Sequence, residues 1–258
     1  MRPAPEITEA KLILSAILVV GAGILSALGG FGLLKSLLIG VARTVIQLLI
    51  MGYLLVIIFG WEEPYAVLGV VIVMCIIATR EALQRAKGSY KVSRIMTFST
   101  LGATTFIVSI IVCAVIIQEK PFWRPAVALP LVGMILGHAL NATSLALERL
   151  NTEVRNSRER IEVLLSLGAC PFEAVKEQCR NAVKAGMTPL INALNIVGLV
   201  SLPGVMTGQI LAGAPPLSAA KYQIVIMLML ALSSSFSCLL TVWLQHKRFF
   251  SSDGAILF

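Results

Sequence analysis

Charged residues are scarce in this sequence, at 13% of 258 residues, while apolar residues make up 57%. A soluble globular domain carries about a quarter charged residues, so the composition excludes an ordinary soluble protein. Histidine is nearly absent, with two residues, and the five cysteines show neither CxxC pairing nor the spacing of metal ligands. We therefore expect all five cysteines to be free thiols.

Catalytic motifs are also absent. No G-x-x-x-x-G-K-[ST] loop occurs, so the chain cannot cradle ATP phosphates in that way. No HExxH occurs, and no pair of acidic residues lies inside an apolar run. An intramembrane enzyme would need a nucleophile and a base, or a metal site, at membrane depth. The candidates Ser201 and His138 lie in different runs, so we expect no catalytic residues in this chain.

What the sequence does have is long apolar runs, seven in all, at about 12–30, 33–59, 65–79, 97–117, 126–147, 188–211 and 223–244. A bilayer is spanned by about 20 apolar residues in a helix, because every backbone polar group in lipid must be paired internally. The sequence therefore predicts an all-α integral membrane protein of about seven transmembrane helices, forming a single domain over residues 1–258. The third run is short, and Pro203-Gly204 interrupts the sixth.

The orientation follows from lysine and arginine, which are enriched in cytoplasmic loops. With the N-terminus outside, the cytoplasmic segments hold fifteen of the 21 basic residues, the outer segments hold five, and Arg43 lies within a span. An odd number of spans then places the C-terminus in the cytosol. Because the basic residues flank apolar runs and form no single patch, we expect contact with membrane lipid and not with nucleic acid.

One polar segment, at about 148–184, is long enough to form a structure between spans five and six. It carries an apolar stripe at helical spacing, with the opposite-charge pairs Arg155–Glu159 and Arg158–Glu162 at i,i+4. We expect the fifth span to continue into this segment, Gly168 to end the helix, and Pro171 to begin a second helix as its first residue. The stripe consists of Leu147, Leu150, Val154, Ile161 and Leu165.

A glycine-interrupted pair of short helices suits a coupling element that presents a surface to a soluble motor. A solvated amphipathic connector is the alternative on pattern alone. The candidate partner-coupling residues are Glu162, Leu167, Gly168, Ala169, Pro171, Phe172 and Ala174.

Several strings in this chain resemble the FetB-type ABC transporter permease family, which includes bacterial iron-export permeases and plant aluminium-tolerance permeases. The longest is GLVSLPGVMTGQILAG at 198–213, and IEVLLSLGACP at 161–171 resembles the family's coupling-loop signature. Shorter matches are RTVIQL at 43–48, PLVGMILG at 130–137 and AAKYQI at 219–224. Two strings depart from the family: this chain has Gly137-His138-Ala139-Leu140 for Gly-Asn-Ala-Met, and Val205-Met206 for Met-Met.

The resemblance implies a homodimeric permease of a cell membrane, with the bacterial inner membrane as the expected location. It implies that two copies of a separate ABC ATPase subunit bind ATP and Mg²⁺, so that this chain needs no cofactor. The implied cargo is a metal ion such as iron, moved outward. A sugar nucleotide is the alternative cargo, and a passive channel or an intramembrane enzyme is the alternative function.

Polar side chains at membrane depth are costly and usually face a bundle interior or a cavity. Arg43 and Gln47 share one helix face, either as a polar pair beside a substrate route or with Arg43 snorkelling to the headgroups. Met134, His138 and Asn141 also share a face, where a thioether and an imidazole can contact a transition metal. Packing and interhelical hydrogen bonds are the alternative for these three residues.

The sixth span is the most informative, because irregular backbone at membrane depth survives only against protein or a water-filled cavity, and broken helices often line substrate sites. We predict that it forms a substrate pathway or gate; a simple kink is the alternative. Its candidate residues are Asn192, Asn195, Ser201, Pro203, Gly204, Met206, Thr207 and Gln209.

Overall fold

A computed structural model describes residues 8–60, 63–85, 92–118, 120–251 and 255–257. All the named secondary-structure elements formed by these residues are helices, which confirms the all-α fold class. The chain divides into two compact units, Met1–Glu62 and Glu63–Phe258. The first unit holds α1 (Glu9–Leu28) and α2 (Leu34–Ile58), which pack against each other. The single domain over 1–258 stays a prediction.

The second unit is built around two long helices, α5 (Pro125–Asn156) and α10 (Pro216–His246), which pack along each other. Both begin with proline in the first turn, where the missing N–H costs no hydrogen bond. The remaining helices are α3 (Pro64–Arg85), α4 (Arg94–Ile110, continued by a π-helical segment Ile111–Ile117), α6 (Arg158–Ser166), α7 (Pro171–Ala174), α8 (Lys176–Ile196) and α9 (Gly204–Leu211).

Six helical segments of the described chain are long and apolar enough to cross a membrane, where the sequence predicts about seven spans. They are α1 to α5, with α4 counted through its π-helical end, and α10 with its last turn. The short third run lies within a helix of 22 residues, α3. This helix continues past the apolar run through a more polar end that contains Arg80 and Arg85. The predicted span 188–211 is not one helix: it consists of the end of α8, a break at 197–203, and α9.

Close packing holds α8 in the bundle at Gly186. A Cβ at this position would lie 2.7 Å from the Ala142 carbonyl oxygen of α5, 2.8 Å from Cys238 Sγ of α10 and 3.1 Å from Ala146 Cβ. Small residues allow helix backbones to approach in this way. The crossing of α5, α8 and α10 therefore requires glycine at position 186.

Candidate coupling surface and membrane pathway

The segment after the fifth span forms a turn of two short helices. The backbone of α6 ends where Gly168 adopts φ +92°, a conformation that costs little only for glycine. Gly168 N–H donates to the Leu165 carbonyl and Ala169 N–H donates to the Leu164 carbonyl, each at 3.0 Å. This is the Schellman pattern of a glycine-terminated helix, and it confirms the predicted helix stop.

The second short helix, α7, begins at Pro171 as predicted. The Cys170 backbone N–H donates to Glu173 Oε2 at 3.0 Å, and the two residues form a reciprocal capping box. These hydrogen bonds, led by the one from the Cys170 backbone, hold the pKa of Glu173 below its usual range. Local hydrogen bonds therefore fix the direction in which the chain enters α7.

The underside of this segment belongs to the core of the second unit. Ile161 of α6 is fully buried and clusters with Leu150 and Val154 of α5, with Val175 and with Phe249 beyond α10. The apolar stripe predicted from the sequence is thus buried within this chain. One of the proposed partner-coupling residues, Ala174, lies in the same cluster at 2% exposure, so its side chain packs into the core beneath the surface.

On the outer face of the same segment, large apolar side chains are exposed. Val163 and Leu167 lie one turn apart and are 56% and 78% exposed, and Phe172 of α7 is 45% exposed. The Phe172 ring also meets the His246 ring edge-on, with centroids 5.1 Å apart. We call Val163, Leu167 and Phe172 the coupling surface; Glu162, Gly168, Ala169 and Pro171 lie next to it in the chain.

Two ion pairs involve residues of the helix α6 that carries Val163 of the coupling surface. Arg158 Nε lies 2.7 Å from Glu162 Oε1, as the sequence predicts. Arg160 Nη1 reaches Glu177 Oε2 at 2.9 Å and joins α6 to α8. The predicted pair Arg155–Glu159 is wrong, because α5 ends at Asn156 and the two residues lie on different helices.

The break at 197–203 is a hydrogen-bonded turn and not a simple kink. Gly198 takes φ +84°, and its N–H donates to the Ser201 carbonyl at 2.9 Å. The Ile196 carbonyl accepts hydrogen bonds from the Leu199, Val200 and Ser201 N–H groups at 2.9 to 3.3 Å. The turn therefore satisfies much of its own backbone, as irregular structure at membrane depth requires.

A cleft of about 490 Å³ lies between this turn and α10. Of the predicted pathway residues, Pro203 and Met206 line it. Gln223, Met227 and other α10 residues form its far wall, and nothing in the sequence predicted them as pathway residues. Gln223 is 6% exposed, and its Oε1 accepts no hydrogen bond from the described residues. The cleft thus combines two thioethers with a buried amide oxygen.

The other candidates of the sixth run do not converge on this cleft. Asn192, Asn195, Ser201, Gly204 and Thr207 are exposed in the isolated chain, and Thr207 Oγ1 donates to the Pro203 carbonyl at 3.1 Å. Gln209 lines a different cleft of about 490 Å³ with Lys221 and Tyr222. A pathway along this run would need surfaces beyond the second unit.

The candidates of the second and fifth spans fall into three environments. Arg43 and Gln47 are exposed on α2 in the first unit. Met134 and His138 are half-buried on α5, with Met134 packed against an apolar cluster. Asn141 Oδ1 accepts a hydrogen bond of 2.9 Å from Arg85 Nη1 of α3. Asn141 thus joins two helices, which favours the packing alternative for this residue.

A hydroxyl-rich seam in the second unit was also missed from the sequence. Buried threonines of α4 and buried serines and a threonine of α10 lie in helices that pack together with α5, and Thr143 and Ser237 share a hydrogen bond of 2.6 Å. The sequence signal that could have identified the seam is the spacing of these hydroxyl residues, which places them on one face of each helix. The α4 and α10 members are Thr97, Thr100, Thr104, Thr105, Ser233, Ser234, Ser237 and Thr241.

No group of three His, Cys, Asp or Glu side chains that could hold a metal ion occurs among the described residues. The cysteines are free, as predicted, and burial raises the pKa of the Cys179 thiol to about 11.

The fold defines a multi-pass α-helical membrane protein. Residues 9–250 match the family described as "Uncharacterised protein family (UPF0014)", and the chain belongs to that family. A UPF0014 membrane protein (slr1647) of Synechocystis is 38% identical over 88% of each chain. The probable iron export permease protein FetB of Escherichia coli is 34% identical over 96% of this chain and 94% of its own.

The plant side of the family is represented by the protein ALUMINUM SENSITIVE 3 of Arabidopsis thaliana. It is 30% identical over 91% of this chain and 85% of its own. These matches confirm the family that the sequence strings indicate. No solved structure matches this chain.

Proposed function

We propose that this chain is the membrane-spanning permease subunit of an ABC transporter in the bacterial inner membrane, and that it exports a metal ion when a separate ATPase subunit hydrolyses ATP. In this proposal two copies form the permease, each with its C-terminus in the cytosol. The chain itself performs no hydrolysis. The observation that carries the proposal is the coupling surface: exposed apolar side chains on a rigid support.

Two features favour docking over a solvated connector. A connector has no need to expose Leu167 at 78%, because water contact with large apolar side chains is unfavourable. The buried underside, through Ile161 and Val175, ties the surface to α5, α8 and α10. A displacement of the surface by a partner would therefore be carried into the bundle, as an ATP-driven mechanism requires.

The contact between Phe172 and His246 adds a second connection, to the end of α10. The same helix forms the far wall of the cleft at Met227 and Gln223. The link from the coupling surface to the cleft thus runs along one continuous helix, Pro216–His246. This continuity supports a permease over a passive channel, which would need no such surface.

The chemistry of the cleft favours a metal ion over a sugar nucleotide. Its described lining contains Met206, Met227 and Gln223 but no lysine or arginine. A nucleotide carries several phosphate charges, and the N-terminus of the short helix α9, at Pro203, is the only group of positive character in this described lining. Thioether sulfur binds transition metals of the softer kind. The Escherichia coli relative is named as a probable iron export permease, and we propose the same class of cargo here.

The test is co-purification. The permease is tagged, expressed with a candidate ABC ATPase subunit from the same organism, and purified in mild detergent, and the ATPase activity that accompanies it is measured. Leu167→Asp places a charge at the centre of the coupling surface and should abolish most of that activity. The matched control is Leu257→Asp, because Leu257 is also an exposed leucine, at 49%, near the C-terminus.

The control variant should retain the partner at the level of the unchanged protein. Equal retention by Leu167→Asp and Leu257→Asp would show that the partner does not dock on the coupling surface. Loss with both variants would point to general instability, which the amount of folded permease on size-exclusion chromatography distinguishes.

A further inference from the structure

A groove of about 630 Å³ between α3 and α4 lies apart from the coupling surface and the cleft. Arg80 of α3 and Arg94 of α4 line it, together with Thr79 and Gln84. Both arginines are exposed, and within the described part of the chain neither guanidinium forms an ion pair or a hydrogen bond. The described lining contains no acidic side chain. The groove is therefore positively charged.

The rest of the groove is apolar and faces outward. Its walls are Ile76, Leu83, Ile95 and Phe98, and Ile95 is 80% exposed. Both arginines lie at the basic end of their spans: Arg80 near the end of α3, and Arg94 at the first residue of α4. An anion there would also meet the N-terminus of α4, where the helix dipole favours negative charge.

We propose that this groove binds one anionic phospholipid, with its phosphate between Arg80 and Arg94 and an acyl chain along Ile76 and Phe98. The groove combines positive charge at the level of the headgroups with an apolar wall that continues into the membrane. Basic pockets between transmembrane helices are suited to such headgroups. Arginine can also bind phosphate oxygens in a bidentate manner. The proposal rests on the membrane assignment and not on the permease function.

The experiment uses the purified full chain in neutral detergent and native mass spectrometry. The probes are phosphatidylglycerol, phosphatidylcholine with the same acyl chains, and water-soluble glycerol 3-phosphate. The unchanged protein should retain phosphatidylglycerol in preference to the other two. Arg80→Gln with Arg94→Gln should weaken phosphatidylglycerol binding roughly thirtyfold, which is the loss expected when two basic residues near an anionic headgroup are neutralised.

The matched control is Arg180→Gln with Lys184→Gln. These residues are exposed on α8 and also lie in the predicted cytoplasmic segment, so the control removes the same charge outside the groove and should leave binding unchanged. A second variant, Arg80→Lys with Arg94→Lys, keeps the charge but not the forked geometry and should give an intermediate loss. It provides the readout if the glutamine variant fails to fold.

Three results would overturn the proposal. Equal retention of phosphatidylglycerol and phosphatidylcholine by the unchanged protein would show that the groove does not recognise charge. Competition by glycerol 3-phosphate as strong as that by the lipid would assign the site to a soluble phosphate. A change of oligomeric state in the glutamine variant, without loss of lipid, would assign the groove to contact between copies of this chain.

Discussion

Replacing Gly186 with alanine is expected to destabilise the second unit, although the same change usually strengthens a helix. The added Cβ would lie 2.7 Å from the Ala142 carbonyl oxygen and 2.8 Å from Cys238 Sγ. Overpacking of this kind costs about 1–3 kcal/mol. We take the upper end, because the Ala142 oxygen belongs to a backbone that cannot rotate away. The alanine gains about 1 kcal/mol in helix propensity, so the net loss is about 2 kcal/mol.

The matched control is Gly137→Ala in α5. A Cβ at Gly137 would meet nothing within 4 Å, so this variant should keep the propensity gain and be as stable as the unchanged protein or more so. Unfolding in mixed micelles of increasing denaturing detergent measures both. A Gly186→Ala variant as stable as Gly137→Ala would refute the close crossing of α5, α8 and α10.

Three further predictions test the interior, the turn and the cleft. Ser237→Ala leaves the buried Thr143 hydroxyl without its 2.6 Å partner and should cost about 1–3 kcal/mol of unfolding free energy. In a double-mutant cycle, T143V/S237A should restore part of this loss. Full additivity of the two single-substitution effects would contradict the hydrogen bond. Gly168→Ala forces a side chain into φ +92° at a cost of about 1–2 kcal/mol and should lower the co-purifying ATPase activity; unchanged activity would mean that the turn geometry is irrelevant to docking. Met206→Leu with Met227→Leu conserves volume and should reduce ATP-dependent metal efflux severalfold, measured as cellular metal content; unchanged efflux would remove the thioethers from the cargo route.

The helices and the coupling segment were largely predictable, because their signals are local. Apolar length gave the spans, and Gly168 and Pro171 marked the end of one helix and the start of the next, since each residue has a restricted role in backbone geometry. The apolar stripe through Ile161 was also predicted, but the residues against which it packs were not. Periodicity shows that a face is apolar without showing whether it is buried in the same chain, so the burial of Ala174 in the core was not predicted.

Tertiary pairing was beyond the sequence. The hydrogen bond from Arg85 to Asn141 joins residues 56 positions apart, and nothing near either residue specifies the other. The charges of Lys176, Arg180 and Lys184 make the first half of α8 too polar for a membrane span, and the apolar remainder is short. The predicted span 188–211 begins in this apolar remainder, is interrupted by the turn at Gly198 and by Pro203, and ends in the short helix α9.

The cleft illustrates the same limit. Met206 was predicted as a pathway residue because it follows a helix break, whereas Met227 looked like one more apolar residue of α10. Their approach depends on the turn that begins at Gly198. A single sequence carries no signal for such a pairing across two elements.

The most direct measurement of the central proposal is metal flux in proteoliposomes that contain the permease and its ATPase partner. We expect movement of the ion only when ATP is supplied on the side of the coupling surface, and we expect Leu167→Asp to abolish it while Leu257→Asp does not. Equal flux without ATP, or undiminished ATP-driven flux with Leu167→Asp, would contradict an ATP-coupled permease that is driven through Val163, Leu167 and Phe172.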